Sequence, residues 1–100
     1  MKRVFIDSSF MHPLVRASIV RNDVKNLEML RESKRDLFAL DKNGYSALLL
    51  AAEYGSIDAF KYLLGLGLDS EYTAPDGKCL ADYLDNPEIR EALNALSIPQ

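Results

Sequence analysis

Side chains that carry out chemistry are scarce in this chain of 100 residues, which has one cysteine, Cys79, and one histidine, His12. A single cysteine cannot form an intrachain disulfide, so the sequence predicts a reducing compartment and a cytoplasmic location. The apolar run after the basic start, residues 4–6, is too short for a signal peptide. No later run approaches the length of a membrane span, so no membrane role is expected.

Positive charge is also in deficit, because 12 Lys and Arg residues face 15 Asp and Glu residues for a net charge of -3. That balance argues against binding a phosphate backbone, which needs a concentrated basic face, so no nucleic-acid partner is expected. The charge is uneven along the chain. Residues 1–40 hold eight basic and five acidic side chains, whereas residues 41–100 hold four basic and ten acidic ones. Such polarity is expected to orient a charged protein partner during encounter.

What the chain does contain is an ordinary globular composition, with 48% hydrophobic and 27% charged residues. The length predicts a single domain over residues 1–100. A lone core of this size is marginally stable, so the expected state is a monomer or a weak homodimer.

The sequence repeats itself with a period of 33 residues. Gly44 and Gly77 are one period apart, as are Asp36 and Asp69. A period of this length excludes coiled-coil heptads and fits a unit of two helices and a turn. Two stretches, residues 42–44 and 75–77, have the composition of tight turns between such units.

Residues 41–73 closely resemble an ankyrin repeat, whose pattern is Asp-x-x-Gly-x-Thr-Pro-Leu-His-x-Ala-Ala-x-x-Gly followed by a helix with paired leucines and Gly-Ala-Asp. The departures are Ser46 for Thr, Ala47 for Pro and Leu49 for His. The matching positions are Asp41, Gly44, Leu48, Ala51, Ala52, Gly55, Leu63, Leu64, Gly67 and Asp69. The resemblance implies an all-α solenoid of stacked helix-turn-helix units.

The flanking units are less regular, as terminal repeats usually are. The first, about residues 8–40, keeps Pro13 and Ala17 but needs a shift of one residue within its first helix. The last, residues 74–97, is short and is interpreted as a C-terminal cap. We interpret the apolar residues 1–11 as an N-terminal cap, with an exposed adhesive segment as the alternative.

Local signals within the units predict helix ends. Gly55 and Gly67 follow helical runs, where a left-handed cap residue is wanted. Ser56 is predicted to cap a helix running from residue 57 to about residue 66. Asn86 followed by Pro87 predicts the start of the last helix.

The candidates for catalysis and metal binding are weak. A hydrolase would have to combine His12 with Ser9 and Asp7, yet residues so close in sequence seldom form a triad. One His and one Cys do not make a zinc site, and residues 65–67 lack the remainder of a phosphate loop. Cys79 occupies the family's Thr position and is expected to be buried. We therefore expect a non-enzymatic protein without metal or cofactor.

The resemblance implies binding through the turn tips and the exposed side of each first helix, which form a concave face in the family. Tyr45 and Tyr54 stand out because tyrosine is enriched in interface hot spots, although each ring could instead lean on its own repeat. The implied partner-binding residues are Lys42, Asn43, Tyr45, Glu53, Tyr54, Phe10, His12, Arg21, Asp76 and Lys78.

The predicted function is binding of one protein partner, which the chain inhibits or positions. One specific form is an immunity protein paired with a toxin. The alternative is a structural protein that self-associates through its apolar N-terminal segment or its short C-terminal unit. A hydrolase using Ser9 and His12 is a third and weaker hypothesis.

Overall fold

A computed structural model describes residues 10–97, with side chains to residue 95. Its helices are α1 (Pro13–Val20), α2 (Val24–Glu32), α3 (Ala47–Tyr54), α4 (Ile57–Gly65), a 3-10 helix (Leu80–Tyr83) and α5 (Pro87–Ser97). Residues 10–97 contain no strand, which agrees with the predicted all-α class. The N-terminal segment of residues 1–9, and with it most of the expected cap and Ser9, lies outside the described residues.

The helices form two layers. The first layer contains α1, α3 and the 3-10 helix, and α3 packs against both of the others. The second layer contains α2, α4 and α5, with α4 packed against both neighbours. Within a unit, α1 packs on α2 and α3 packs on α4. Each unit therefore buries its apolar face against the next unit, as a solenoid does.

Helix α3 lies at the centre of this arrangement. All six residues from Ala47 to Ala52 are buried, since neighbouring helices cover α3 on both sides and α4 covers a third. Ala51 is completely buried, which agrees with the expectation that small residues let a neighbouring helix approach closely. Phe60 and Leu63 of α4 are also fully buried, and they join α3 in one continuous core.

The shift of one residue in the first unit is confirmed. The starts of α1 and α3 are 34 residues apart, whereas those of α2 and α4 are 33 apart. The difference arises in the turn between the helices. It has three residues, Arg21–Asp23, in the first unit and two, Gly55–Ser56, in the second.

Left-handed backbone recurs at equivalent positions of the two units. Gly55 ends α3 with φ 68°, as predicted, and Asn22 has φ 58° one period earlier. Gly67 has φ 97°, and its counterpart Lys34 has φ 72°. Asparagine tolerates this conformation better than most residues, which explains how the first unit manages without glycine at residue 22.

The predicted cap on α4 needs a correction. Ser56 occupies the N-cap position, but its side chain makes no capping bond, and its Oγ donates instead to the Val20 carbonyl at 3.4 Å. The N–H of Ala59 in the first turn of α4 donates to Oδ1 of Asn22 at 2.9 Å. The first unit therefore caps a helix of the second.

This cap provides a stability prediction. We expect Asn22→Gly to lower the free energy of unfolding by about 1 kcal/mol, because it keeps the left-handed backbone but loses the bond to Ala59. Asn22→Ala should cost about 1 kcal/mol more, since it also strains the backbone. Urea denaturation of both variants measures the two effects separately. A wild-type midpoint for Asn22→Gly would show that the inter-unit cap contributes nothing.

The last unit has a reduced first helix. Its 3-10 helix is one turn long, and α5 starts at Pro87, as predicted. Proline disfavours helical backbone in the residue before it, so a longer first helix could not run into Asn86. The expected burial of Cys79 is only partial, because the thiol caps this short helix while the Cys79 N–H donates to Asp82 at 2.9 Å.

Candidate functional site

A groove of about 530 Å³ runs across all three units; we call it the central groove. It takes one residue from α1, several from the turn before α3 and from α3 itself, and two from the turn before the 3-10 helix. Its lining residues are Arg16, Asp41, Asn43, Tyr45, Leu50, Glu53, Tyr54, Pro75 and Asp76.

A buried carboxylate shapes the turn that leads into α3. Oδ1 of Asp41 accepts the N–H groups of Asn43 and Tyr45, both at 2.9 Å, and Gly44 takes φ 83° between them. The hydroxyl of Tyr72 donates to the Gly44 carbonyl at 2.8 Å. The backbone that carries Tyr45 is therefore held from two directions. This confirms the predicted tight turn.

Tyr45 links the second unit to the third. Its hydroxyl donates to Oδ2 of Asp76 at 2.7 Å, and Oδ1 of the same carboxylate accepts the Lys78 N–H at 3.0 Å. The bond to Asp76 raises the pKa of Tyr45 to about 12, because ionisation would place two negative charges together. The same bond lowers the pKa of Asp76. Both groups therefore keep the charge states that this bond requires across the neutral range.

Tyr54 links the second unit to the first. Its hydroxyl accepts a hydrogen bond from Nη2 of Arg16 at 3.3 Å, and the guanidinium carbon lies 5.8 Å from the ring centroid. That separation is within cation–π range. The side chain is still 44% exposed. Tyr45 and Tyr54 thus both contact neighbouring units, which differs from the alternative that each ring leans on its own repeat.

A third cross-unit pair lies beside the groove. The Tyr83 hydroxyl donates to Oε1 of Glu53 at 2.7 Å, and the Lys78 ammonium lies 5.8 Å from the Tyr83 ring centroid. Burial and the bond to Glu53 together raise the pKa of Tyr83 well above its usual value. Glu53 is therefore held toward the third unit.

Arg16 and Tyr83 were not predicted as site residues. Arg16 lies 34 residues before Leu50 and Tyr83 lies 33 residues after it, so the three occupy equivalent positions in successive units. Leu50 itself lines the groove. Stepping from this position by one period, with the shift of the first unit, would have found both residues from the sequence.

The structure divides the ten predicted residues among three places. Five of them, Asn43, Tyr45, Glu53, Tyr54 and Asp76, line the central groove. Another three, Phe10, His12 and Lys42, line a second groove at the start of α1. Arg21 at the end of α1 and Lys78 beside Tyr83 line neither groove.

His12 is the N-cap of α1, as one of its two expected positions would have it. Its Nδ1 accepts the N–H of Leu14 at 3.0 Å. That bond uses one ring nitrogen for a structural purpose. Across residues 10–97 no three His, Cys, Asp or Glu side chains come close enough to hold a metal ion. The same part of the chain has no helix long and apolar enough to cross a membrane.

Stacked two-helix units with a groove across the first helices define a helical repeat protein of the solenoid class. The family model described as "Ankyrin repeats (many copies)" matches residues 14–64, half of the chain. The chain therefore belongs to the ankyrin-repeat family. Ankyrin repeats generally mediate protein–protein interaction, and the family is typically non-enzymatic. A search of curated proteins found no match.

Proposed function

We propose that this protein binds one protein partner through the central groove and thereby inhibits or positions it. The observation that supports this most directly is the half-exposed ring of Tyr54 inside a groove that spans all three units. An amphipathic aromatic in a concave site is a common anchor for protein binding.

The groove is also organised before any partner arrives. Arg16 orients Tyr54, Asp76 orients Tyr45 and Tyr83 orients Glu53, each through a hydrogen bond. Side chains already held in one conformation lose less entropy when they are covered, which favours affinity. Carboxylates, a guanidinium and aromatic rings lie together, so the partner surface is expected to be both polar and apolar.

The first test is a contact experiment in native cells. A photo-crosslinking phenylalanine analogue placed at residue 54 should attach to one protein, whereas the same group at residue 29 should not. Met29 is 59% exposed and does not line the groove, so it controls for general stickiness. Equal labelling from both positions would contradict the proposal. Light scattering of the free protein tests the self-association alternative.

The crosslinked partner, once purified, allows a quantitative prediction. We expect Tyr54→Ala to weaken its binding by about 2 kcal/mol, or roughly thirtyfold, because the anchor is lost. The melting temperature should stay close to wild type, since the side chain is half-exposed. Calorimetry provides the affinity, with Met29→Ala as the matched control. Normal binding by Tyr54→Ala would place the interface elsewhere.

Tyr45 needs a milder substitution, since its hydroxyl also joins two units. Tyr45→Phe keeps the ring in the groove and removes only the bond to Asp76. A loss of stability without a loss of affinity would assign Tyr45 to the scaffold. A loss of affinity at unchanged stability would assign its hydroxyl to the partner.

A further inference from the structure

The second groove differs from the central one in charge; we call it the basic groove. It has a volume of about 580 Å³ and lies between the start of α1, the loop after α2 and the tip of the turn before α3. Its lining residues are Phe10, Met11, His12, Pro13, Lys34, Arg35, Asp36 and Lys42. Three cations thus face one carboxylate.

The three cations have no internal partner. The side chains of Lys34, Arg35 and Lys42 are exposed, and none forms a hydrogen bond or ion pair with another described residue. Asp36, the only carboxylate of this lining, already accepts the Phe38 N–H at 2.8 Å through Oδ1. The positive charge of the groove is therefore uncompensated locally.

The backbone that carries these groups is ordered. The Lys34 and Arg35 N–H groups close the end of α2 through bonds of 3.0 Å to the carbonyls of Arg31 and Leu30. On the opposite wall, the Met11 N–H donates to the Leu40 carbonyl at 2.7 Å. Met11 is buried, while Phe10 beside it is 42% exposed. An apolar surface is thus held next to the cations.

We propose that the basic groove binds a short acidic segment of a protein, with carboxylates against Lys34, Arg35 and Lys42 and an apolar side chain against Phe10. Complementary charge favours such a segment, and the aromatic ring offers it an anchor. This inference does not depend on partner binding in the central groove.

The extent of the positive surface favours an acidic protein segment over a nucleic acid. Lys42 lies on the basic groove, while its neighbours Asp41 and Asn43 line the central groove, which also contains Glu53 and Asp76. A phosphate backbone that continued past the turn would meet those carboxylates. A segment a few residues long avoids them.

Fluorescence anisotropy with a labelled peptide tests the proposal, the probe being one phenylalanine flanked on both sides by glutamates. Binding to the full chain is expected, and a peptide with glutamine in place of every glutamate should bind about tenfold more weakly or not at all. An oligothymidine of similar charge should bind more weakly than the acidic peptide. No glutamate-dependent binding, or tighter binding of the oligothymidine, would overturn the proposal.

Charge reversal locates the site. Arg35→Glu/Lys42→Glu should weaken peptide binding by about tenfold or more, because two attractions become repulsions. The control, Lys25→Glu/Arg31→Glu, makes the same change in net charge on exposed residues outside the groove and should have little effect. Equal losses would show a nonspecific charge effect and refute the assignment.

Two further variants keep the result interpretable. If the charge-reversed protein melts early, Arg35→Gln/Lys42→Gln removes the attraction without introducing repulsion, and weaker binding is still expected. Tyr54→Ala should leave peptide binding unchanged, because Tyr54 lines only the central groove. Loss of peptide binding in Tyr54→Ala would place the peptide in the central groove and contradict the proposal.

Discussion

Phe60→Ala is expected to lower the melting temperature by roughly 15 °C or more, since removing a buried Phe side chain costs about 3–5 kcal/mol in a domain of this size. Phe60 is fully buried in α4, between the neighbouring helices of the second layer and α3. The cavity would open in the central unit. Because units of a solenoid are stabilised by their neighbours, all helices should unfold in one transition at the lower temperature.

Phe38→Ala is the matched control, because it removes the same atoms from a side chain that is 56% exposed. Its melting temperature should stay within a few degrees of wild type. Circular dichroism on heating measures both variants. Similar melting of the two proteins would mean that the core does not centre on α4. Two separate transitions in Phe60→Ala would show that the units are not coupled.

Gly44→Ala is expected to cost about 2–4 kcal/mol in the free energy of unfolding, through left-handed strain and overpacking. Gly44 has φ 83°, and an added Cβ would lie 2.5 Å from Cδ and 2.6 Å from Cγ of Pro75 in the next turn. The proline ring is not a flexible end that swings aside. Tyr72 holds the Gly44 carbonyl, so the turn cannot simply move away.

Gly77→Ala separates the two causes. Gly77 occupies the same position one period later, with φ 93°, but a Cβ there meets no atom within 4 Å. It should cost only the backbone strain, about 1 kcal/mol. Pro75→Ala removes Cγ and Cδ, so the double variant Gly44→Ala/Pro75→Ala should recover most of the excess. Equal stability of the Gly44 and Gly77 variants in urea would contradict the close contact between turns.

Much of the fold was predictable because its signals are local. The composition of the turn before α3, the glycine after Tyr54 and the proline at residue 87 each act on their immediate neighbours in the chain. The period of 33 residues then identified the units, and the ankyrin pattern in residues 41–73 led to the family. The candidate site was predicted in part, since five predicted residues line the central groove. Partner contact by these residues and the cytoplasmic location stay predictions.

The remaining features depend on how one unit lies on the next. The cap on α4 comes from Asn22 rather than Ser56, and the rings of Tyr45 and Tyr54 are held by Asp76 and Arg16 of the adjoining units. Each pair is more than 30 residues apart in sequence. Whether such side chains meet depends on the offset between stacked helices, which shifts by one residue in the first unit.

The sequence by itself determined the repeat, the positions of the turns and the helix ends, because those follow from backbone preferences of adjacent residues. Only the tertiary structure decided that the predicted surface divides into two grooves of different charge. The division occurs within one turn, where Asp41 and Asn43 line the central groove while Lys42 lines the basic groove. Sequence proximity does not reveal this, since the direction of each side chain depends on the backbone that Asp41 and Gly44 impose on the turn.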